Sequence, residues 1–250
     1  MKKIEVAVLN PESTMGAEKM MVCAARLTQR GHKIKDLDDF MALYNQSYKP
    51  ETVKAMASLP HPTIQKLERI NVVVVGASRR FLAQITRHQD EVKFMSASLQ
   101  YSDYSGEADF VVPYELLTSP LQVAYLNSCA ASMDTYQKLV EYGADNDTAG
   151  YAAPQGLRNI LIMSAVPYEW KHMIHQRICR RNTPETRYVM LKIWEELYKL
   201  SPEFFGPETT GAFCMQGACL EGKMACGEPL AKGMAPADIL KADFPLLATT

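Results

Sequence analysis

Asn71-Val72-Val73-Val74-Val75-Gly76-Ala77-Ser78, running directly into Arg79-Arg80-Phe81-Leu82-Ala83-Gln84-Ile85-Thr86-Arg87-His88, is the stretch that decides the fold. The β-branched run Val72 to Val75 reads as a buried strand, since branched side chains fit a pleated, packed surface. Gly76 interrupts it, and Ser78 stands where a helix N-cap belongs. Phe81, Leu82 and Ile85 then fall on one face of a helix reaching His88. Strand and helix are therefore interleaved.

Working outward, residues 4–9 and Arg158–Ala165 read as further strands, with a short one at 110–112. Helices are predicted over 17–29 (stopped by Gly31), 36–44, 50–59, 116–142 with a break near Ser119-Pro120, 168–180, and 184–200 capped by Asn182 or Thr183. Pro60-His61-Pro62-Thr63 must be a loop, because each proline removes a backbone donor and restrains its predecessor. Residues 143–154 form a polar loop. No regular βαβ period appears, so the fold class is α+β (mixed α/β): a central mixed β-sheet flanked by helices, in a single domain. Residues 1–210 form that domain, and 211–250 a Cys/Gly-rich C-terminal tail.

The 250 residues are 47% hydrophobic and 22% charged, with a formal net charge of −1. That balance gives no global basis for binding nucleic acid or a membrane surface. No apolar run approaches the ~20 residues needed to cross a bilayer. The start, Met1-Lys2-Lys3-Ile4-Glu5, lacks a long apolar segment and a cleavage site, so a cytoplasmic location is expected. Cys23, Cys129 and Cys179 lie in apolar helical patterns and read as small core residues. Cys214, Cys219 and Cys226 sit close together in the tail, but their spacing is not a Cys-x-x-Cys knuckle and no histidine follows nearby. They read as reduced thiols tying down the tail, and no metal site is assigned.

Chemistry concentrates in Arg87-His88-Gln89 and the following Ser96-Ala97-Ser98-Leu99-Gln100-Tyr101-Ser102. Arginine grips phosphates and planar rings, while serine and glutamine read the edges of heterocycles. The same residues also suit an ordinary helix end, with Arg79, Arg80, Arg87 and His88 complementing the dipole. No Gly-x-Gly-x-x-Gly loop is present, which argues against a Rossmann-type dinucleotide site.

This passage resembles the signature of the flavin-dependent thymidylate synthases, and companions follow in the family's order. Upstream are Ala24-Ala25-Arg26-Leu27-Thr28, His61-Pro62-Thr63 and Gln84. Downstream come Pro154-Gln155-Gly156, Glu169-Trp170-Lys171-His172, Arg177, and then Arg181, Glu185 and Arg187. The resemblance spans residues 24–227. It implies a mixed fold assembled as a homotetramer with shared sites. The implied reaction is the reductive methylation of dUMP to dTMP, with FAD as cofactor and NADPH and methylenetetrahydrofolate as co-substrates, and no cysteine nucleophile.

The resemblance further implies that Thr28, His61, Thr63, Arg87, His88, Gln89 and His172 hold FAD. It puts Gln84, Ser96, Ser98, Gln100 and Arg177 on the nucleotide, with Arg177 and Ser98 nearest the chemistry. Several positions depart from the family pattern. Gln100 and Gly150-Tyr151 stand where the arginines of the phosphate clamp are usual, Ser96 replaces a glutamate, and Gln89 replaces the last arginine of Arg-His-Arg. Val166-Pro167-Tyr168 replaces Asn-x-Arg. Two other readings follow: the same fold and flavin acting on another uracil-containing substrate, or a non-catalytic nucleotide- or flavin-binding homologue. Arg158 and Arg80 are candidates to restore the missing phosphate charge.

Overall fold

The computed structural model describes residues 3–106, 108–217 and 219–248. The outermost residues of the division into 1–210 and 211–250, namely Met1, Lys2, Thr249 and Thr250, lie outside it. The strands are β1 (Glu5–Val8), β2 (Ile70–Ser78), β3 (Val92–Ser96) and β4 (Arg158–Ala165). The longer helices are α1 (Glu12–Arg30), α2 (Leu37–Tyr44), α3 (Pro50–Ala57), α4 (Arg79–Ile85) and α5 (Gln122–Glu141). Then come α6 (Asn146–Ala149), α7 (Pro167–Arg177), α8 (Pro184–Leu200), α9 (Phe213–Gln216), α10 (Pro236–Asp243) and α11 (Pro245–Ala248). No helix among the described residues is long and apolar enough to cross a membrane.

The α+β class holds, with one correction to the sheet. Its four strands run in the order β1-β2-β4-β3, and every pairing is antiparallel rather than mixed. The valine run is also not buried on both sides. Ile70, Val72 and Val74 face the core, while Val75 is exposed. On β4, Leu161 and Met163 point inward, and Ile160 and Ile162 point out at 50% and 40% exposure. Strand periodicity of two makes this alternation unavoidable. Helices cover one face, and the other stays open.

The covered face is held by indole side chains. Trp170 of α7 is fully buried and its Nε1 donates to the Ile70 carbonyl on β2 (3.0 Å), while Trp194 of α8 donates to the Phe205 carbonyl (2.8 Å). Around them Met21, Phe81, Met173, Ile174, Ile193 and Leu197 complete one core. Truncating either indole to alanine would cost about 3–5 kcal/mol.

At the end of β2 the ladder shifts register between Val75 and Ala77, and Gly76 takes a φ of +84°. The positive φ at the bulge favours glycine, and a Cβ there would lie 2.3 Å from the Arg158 guanidinium and displace it. Beyond the bulge the cap reading holds, for Ser78 Oγ accepts from the Phe81 amide (3.1 Å). The helix is shorter than its pattern, ending at Ile85, so Arg87, His88 and Gln89 follow it in a turn. Other corrections are local. Residues 110–112 form no strand, only a bridge from Phe110 to Leu157, and the helix predicted at 116 begins at Gln122, past Pro120. The polar loop 143–154 contains α6.

Sequence patterning missed α10. It lies on α8, bringing Ile239 and Phe244 into the core, and Asp243 accepts from two arginines at once: Arg180 Nη2 at 2.8 Å and Arg187 Nη2 in close contact. Arg187, 8% exposed, is thus a buried tie between α8 and the tail rather than part of a solvated helix face.

Candidate functional site

His88 is buried in the turn after α4, and α7 supplies what surrounds it. Arg177 Nε donates to His88 Nε2 at 2.8 Å, and Glu169 Oε1 lies 3.4 Å from His88 Nδ1. His172 meets His88 edge to face, with ring centroids 5.8 Å apart, and its Nε2 is 2.9 Å from Gln176 Nε2. Glu169, His172, Gln176 and Arg177 recur at helical spacing, so one face of α7 presents them together. The arginine donates to Nε2, which leaves the His88 proton on Nδ1, toward Glu169. The imidazole is therefore fixed in tautomer and in orientation.

His88, Glu169 and His172 offer ligand atoms within 4.8 Å of one another. The Arg177 guanidinium already engages His88 Nε2 and places a positive charge beside the group, which disfavours a cation there. Arg177 itself is half-buried. Burial first, and then the nearby Arg87 charge, hold its pKa below the usual guanidinium value. Arg87 is exposed and makes no side-chain hydrogen bond or ion pair among the described residues. Arg177, bonded to the buried imidazole, and the Arg87 charge nearby suit an anion or an electron-rich ring.

The remaining predicted residues divide into groups. Gln89 is exposed beside this cluster in sequence. Thr28 lies on the exposed end of α1, where its Oγ1 donates to the Ala25 carbonyl (2.8 Å), and His61 and Thr63 are exposed around the turn Pro62–Gln65. Among the described residues, no hydrogen bond or ring contact joins Thr28, His61 or Thr63 to His88 or Arg177. Gln84 is half-buried, and its Oε1 accepts from Thr183 Oγ1 (3.1 Å) and Thr186 Oγ1 (2.6 Å), joining α4 to the start of α8.

Ser96, Ser98 and Gln100 share a cleft of about 450 Å³ with Gly150 and Tyr151, so both places where a clamp arginine was expected, Gln100 and Gly150-Tyr151, border it. Ser98 Oγ accepts from the Gln100 amide (3.0 Å), which shapes the turn. The cation in this cleft is Arg79, which sequence reasoning assigned only to a helix end. Among the described residues its side chain has no hydrogen bond or ion pair. Arg158, by contrast, is engaged: its Nη2 donates to the Lys3 carbonyl (2.5 Å) and its Nε lies 3.8 Å from Asp109. Arg80 lines a different cleft with Gln155 and Glu185. Glu169 was the other omission, although its place three residues before His172 put both on one helix face.

Nearer the tail, His175 Nδ1 bonds the Gly211 carbonyl and its ring stacks on Phe213 at 5.2 Å. Burial keeps its pKa below the usual imidazole value. Cys179 corrects the sequence reading in a different way. It is half-exposed at the end of α7, facing a cleft of about 850 Å³, and is not a core residue like Cys23 and Cys129.

Comparison with known proteins agrees with this architecture. The family described as Thymidylate synthase complementing protein matches residues 12–203. A flavin-dependent thymidylate synthase of Geobacter sulfurreducens is 23% identical over 227 residues, covering 90% of this chain and 94% of its own. That of Pyrococcus abyssi is 24% identical over 143 residues, covering 56% of this chain and 58% of its own. Among solved structures, Helicobacter pylori Thymidylate Synthase X with FAD and dUMP superposes with a TM-score of 0.58 at 16% identity, covering 81% of this chain and 97% of that one. The UMP/dUMP methylase PolB of Streptomyces cacaoi, bound with 5-Br dUMP, gives a TM-score of 0.62 at 14% identity, covering 82% and 94%. A family match across most of the chain, on a sheet-and-helix frame shared with these structures, makes this protein a member of the flavin-dependent thymidylate synthase family.

Proposed function

We propose that this protein binds FAD and methylates C5 of a uracil nucleotide, with dUMP as the first substrate, in the cytoplasm. Methylenetetrahydrofolate is the carbon donor and NADPH the reductant. The observation that carries the reading is the contact of Arg177 with His88, backed by Glu169 and bordered by Arg87. The flavin, when bound, supplies hydride transfer. The residues present fit it: a buried, tautomer-locked imidazole offers a rigid edge, and Arg87 offers an unengaged cation for its phosphates. Thr28, His61, Thr63, Gln89 and His172 are the further flavin contacts of this proposal.

Arg177 then acts on the pyrimidine, stabilising negative charge that develops on the uracil carbonyl. Gln84, Ser96, Ser98 and Gln100 hold the nucleotide, and Arg79 stands in for the missing phosphate clamp.

The replacement of clamp arginines by Gln100 and Gly150 favours one second reading, in which the substrate is another uracil compound with different 5′ contacts. The UMP/dUMP methylase among the structural relatives keeps ribonucleotides within reach of the fold. Assembly as a homotetramer belongs to the same proposal. Val75, Met95, Ile160 and Ile162 leave one sheet face apolar and uncovered, and a second copy of this chain is its occupant. Freshly purified protein is expected to be yellow, to change its flavin spectrum on addition of dUMP, and to oxidise NADPH only with nucleotide present. A spectrum perturbed by UMP or deoxyuridine but not dUMP would establish the second reading. Colourless protein that FAD cannot reconstitute would overturn both.

A further inference from the structure

Four of the six cysteines line one cleft between the end of α7 and the tail: Cys179, Cys214, Cys219 and Cys226. The sequence separates Cys179 from the others by a whole helix, so only the fold reveals the set. All are free thiols.

The backbone is arranged around them. The Glu228 amide donates to Cys226 Sγ (3.4 Å). Arg181 also reaches Glu221 (3.1 Å) and the Met224 carbonyl (2.5 Å), while Arg180 Nη1 donates to the Glu228 carbonyl (2.9 Å). Both arginines therefore pin the loop that carries Cys226 and add positive charge to the cleft wall.

We propose that these four cysteines ligate an iron–sulfur cluster of the four-iron type. Thiolates are the ligands such clusters require. A single tetrahedral zinc, with bonds of ≈ 2.3 Å, holds its sulfurs about 3.8 Å apart. Among the described residues, no three cysteine sulfurs lie within 4.8 Å of one another. The thiols are therefore not gathered as a single tetrahedral ion requires, and the occupant proposed for the cleft of about 850 Å³ they line is a larger inorganic core, whose ligands stand further apart. The anionic cluster would be offset by Arg180 and Arg181, and the N–H···S contact from Glu228 stabilises the Cys226 thiolate.

The proposal does not rest on the flavin reading. Its test is anaerobic reconstitution of the full chain with ferrous iron and sulfide, followed by iron and acid-labile sulfide analysis and by electron paramagnetic resonance of the dithionite-reduced protein. About four irons and four sulfides per chain are expected, with a reduced-cluster signal that no flavin gives. Cys214→Ser and Cys226→Ser should lose that iron while keeping the circular dichroism of the parent, and Cys129→Ser, remote from the cleft, should keep it. Stoichiometric zinc in place of iron overturns the proposal. So does iron below about half an atom per chain, or iron retained in folded Cys214→Ser. None of these results alters what flavin absorbance reports.

Discussion

Arg177 reaches His88 with its Nε, 2.8 Å from the ring nitrogen opposite the one facing Glu169. The guanidinium is therefore anchored by one nitrogen, and its two terminal nitrogens, which make no hydrogen bond among the described residues, can meet a planar ligand. Lysine lacks that division of labour, being a point charge on a flexible stem.

Arg177→Lys is accordingly expected to fold normally and lose about a hundredfold or more in turnover. Nucleotide-dependent NADPH oxidation measures the loss, with circular dichroism as the folding control. Turnover within about twofold of the parent would remove Arg177 from the reacting centre.

Arg79 is the unengaged cation in the Ser98 cleft. Loss of one charge-assisted hydrogen bond costs ~1.5–3 kcal/mol. Arg79→Gln should raise KM for dUMP by roughly 10- to 100-fold and leave any activity on deoxyuridine unchanged. Gln100→Arg, which restores a cation nearby, should lower KM. Steady-state kinetics with both compounds decides it.

Lys171 is 5% exposed, with its Nζ donating to the Ala57 carbonyl (3.2 Å) and lying 4.6 Å from the Phe204 ring centre. Burial pushes its pKa down to about 7. The unfolded chain then binds this proton at a pH where the native chain has released it, so stability from this group rises between about pH 7 and the ordinary lysine range. Lys171→Met should therefore raise Tm at pH 6.5 and lose that advantage toward pH 10. A pH-independent difference in thermal melts would refute the burial argument.

Asp243 joins Arg180 and Arg187. Burial alone would raise its carboxyl pKa, but the two guanidiniums more than reverse this and hold it below the usual range. Its contribution is complete above the carboxylate range and disappears only as acid titrates the lowered native value. Asp243→Asn leaves Arg187 buried without its counter-charge and should cost about 3–5 kcal/mol at neutral pH. Urea unfolding of parent and variant measures the gap, which should close only in strong acid.

The elements that sequence exposed were those with local causes. The serine cap, the proline boundaries and the α8 pattern all depend on neighbours within a turn or two. Ser78 shows where that legibility stops. Its bond to the Phe81 amide could be anticipated, but its second bond, donated to Glu185 at 2.5 Å, joins residues 107 apart. Arg79 was hidden for the same reason, since helix end and cleft wall look identical without a partner strand. Family resemblance named His88 and Arg177 for separate ligands, and their direct bond across 89 residues was not legible in the sequence. Strand direction was not legible either: helices between strands suggested some parallel pairing, whereas long connections returned every neighbour antiparallel.

The sheet ends on both sides in short strands, β1 with four residues and β3 with five. So brief a rim offers an incoming neighbour few free amides and carbonyls with which to prolong the ladder. The broad flank bearing Val75, Ile160 and Ile162 has no such shortage of contact area. Copies of this chain should consequently stack flank to flank rather than knit into a wider sheet, and growth beyond a closed particle is disfavoured by the same geometry.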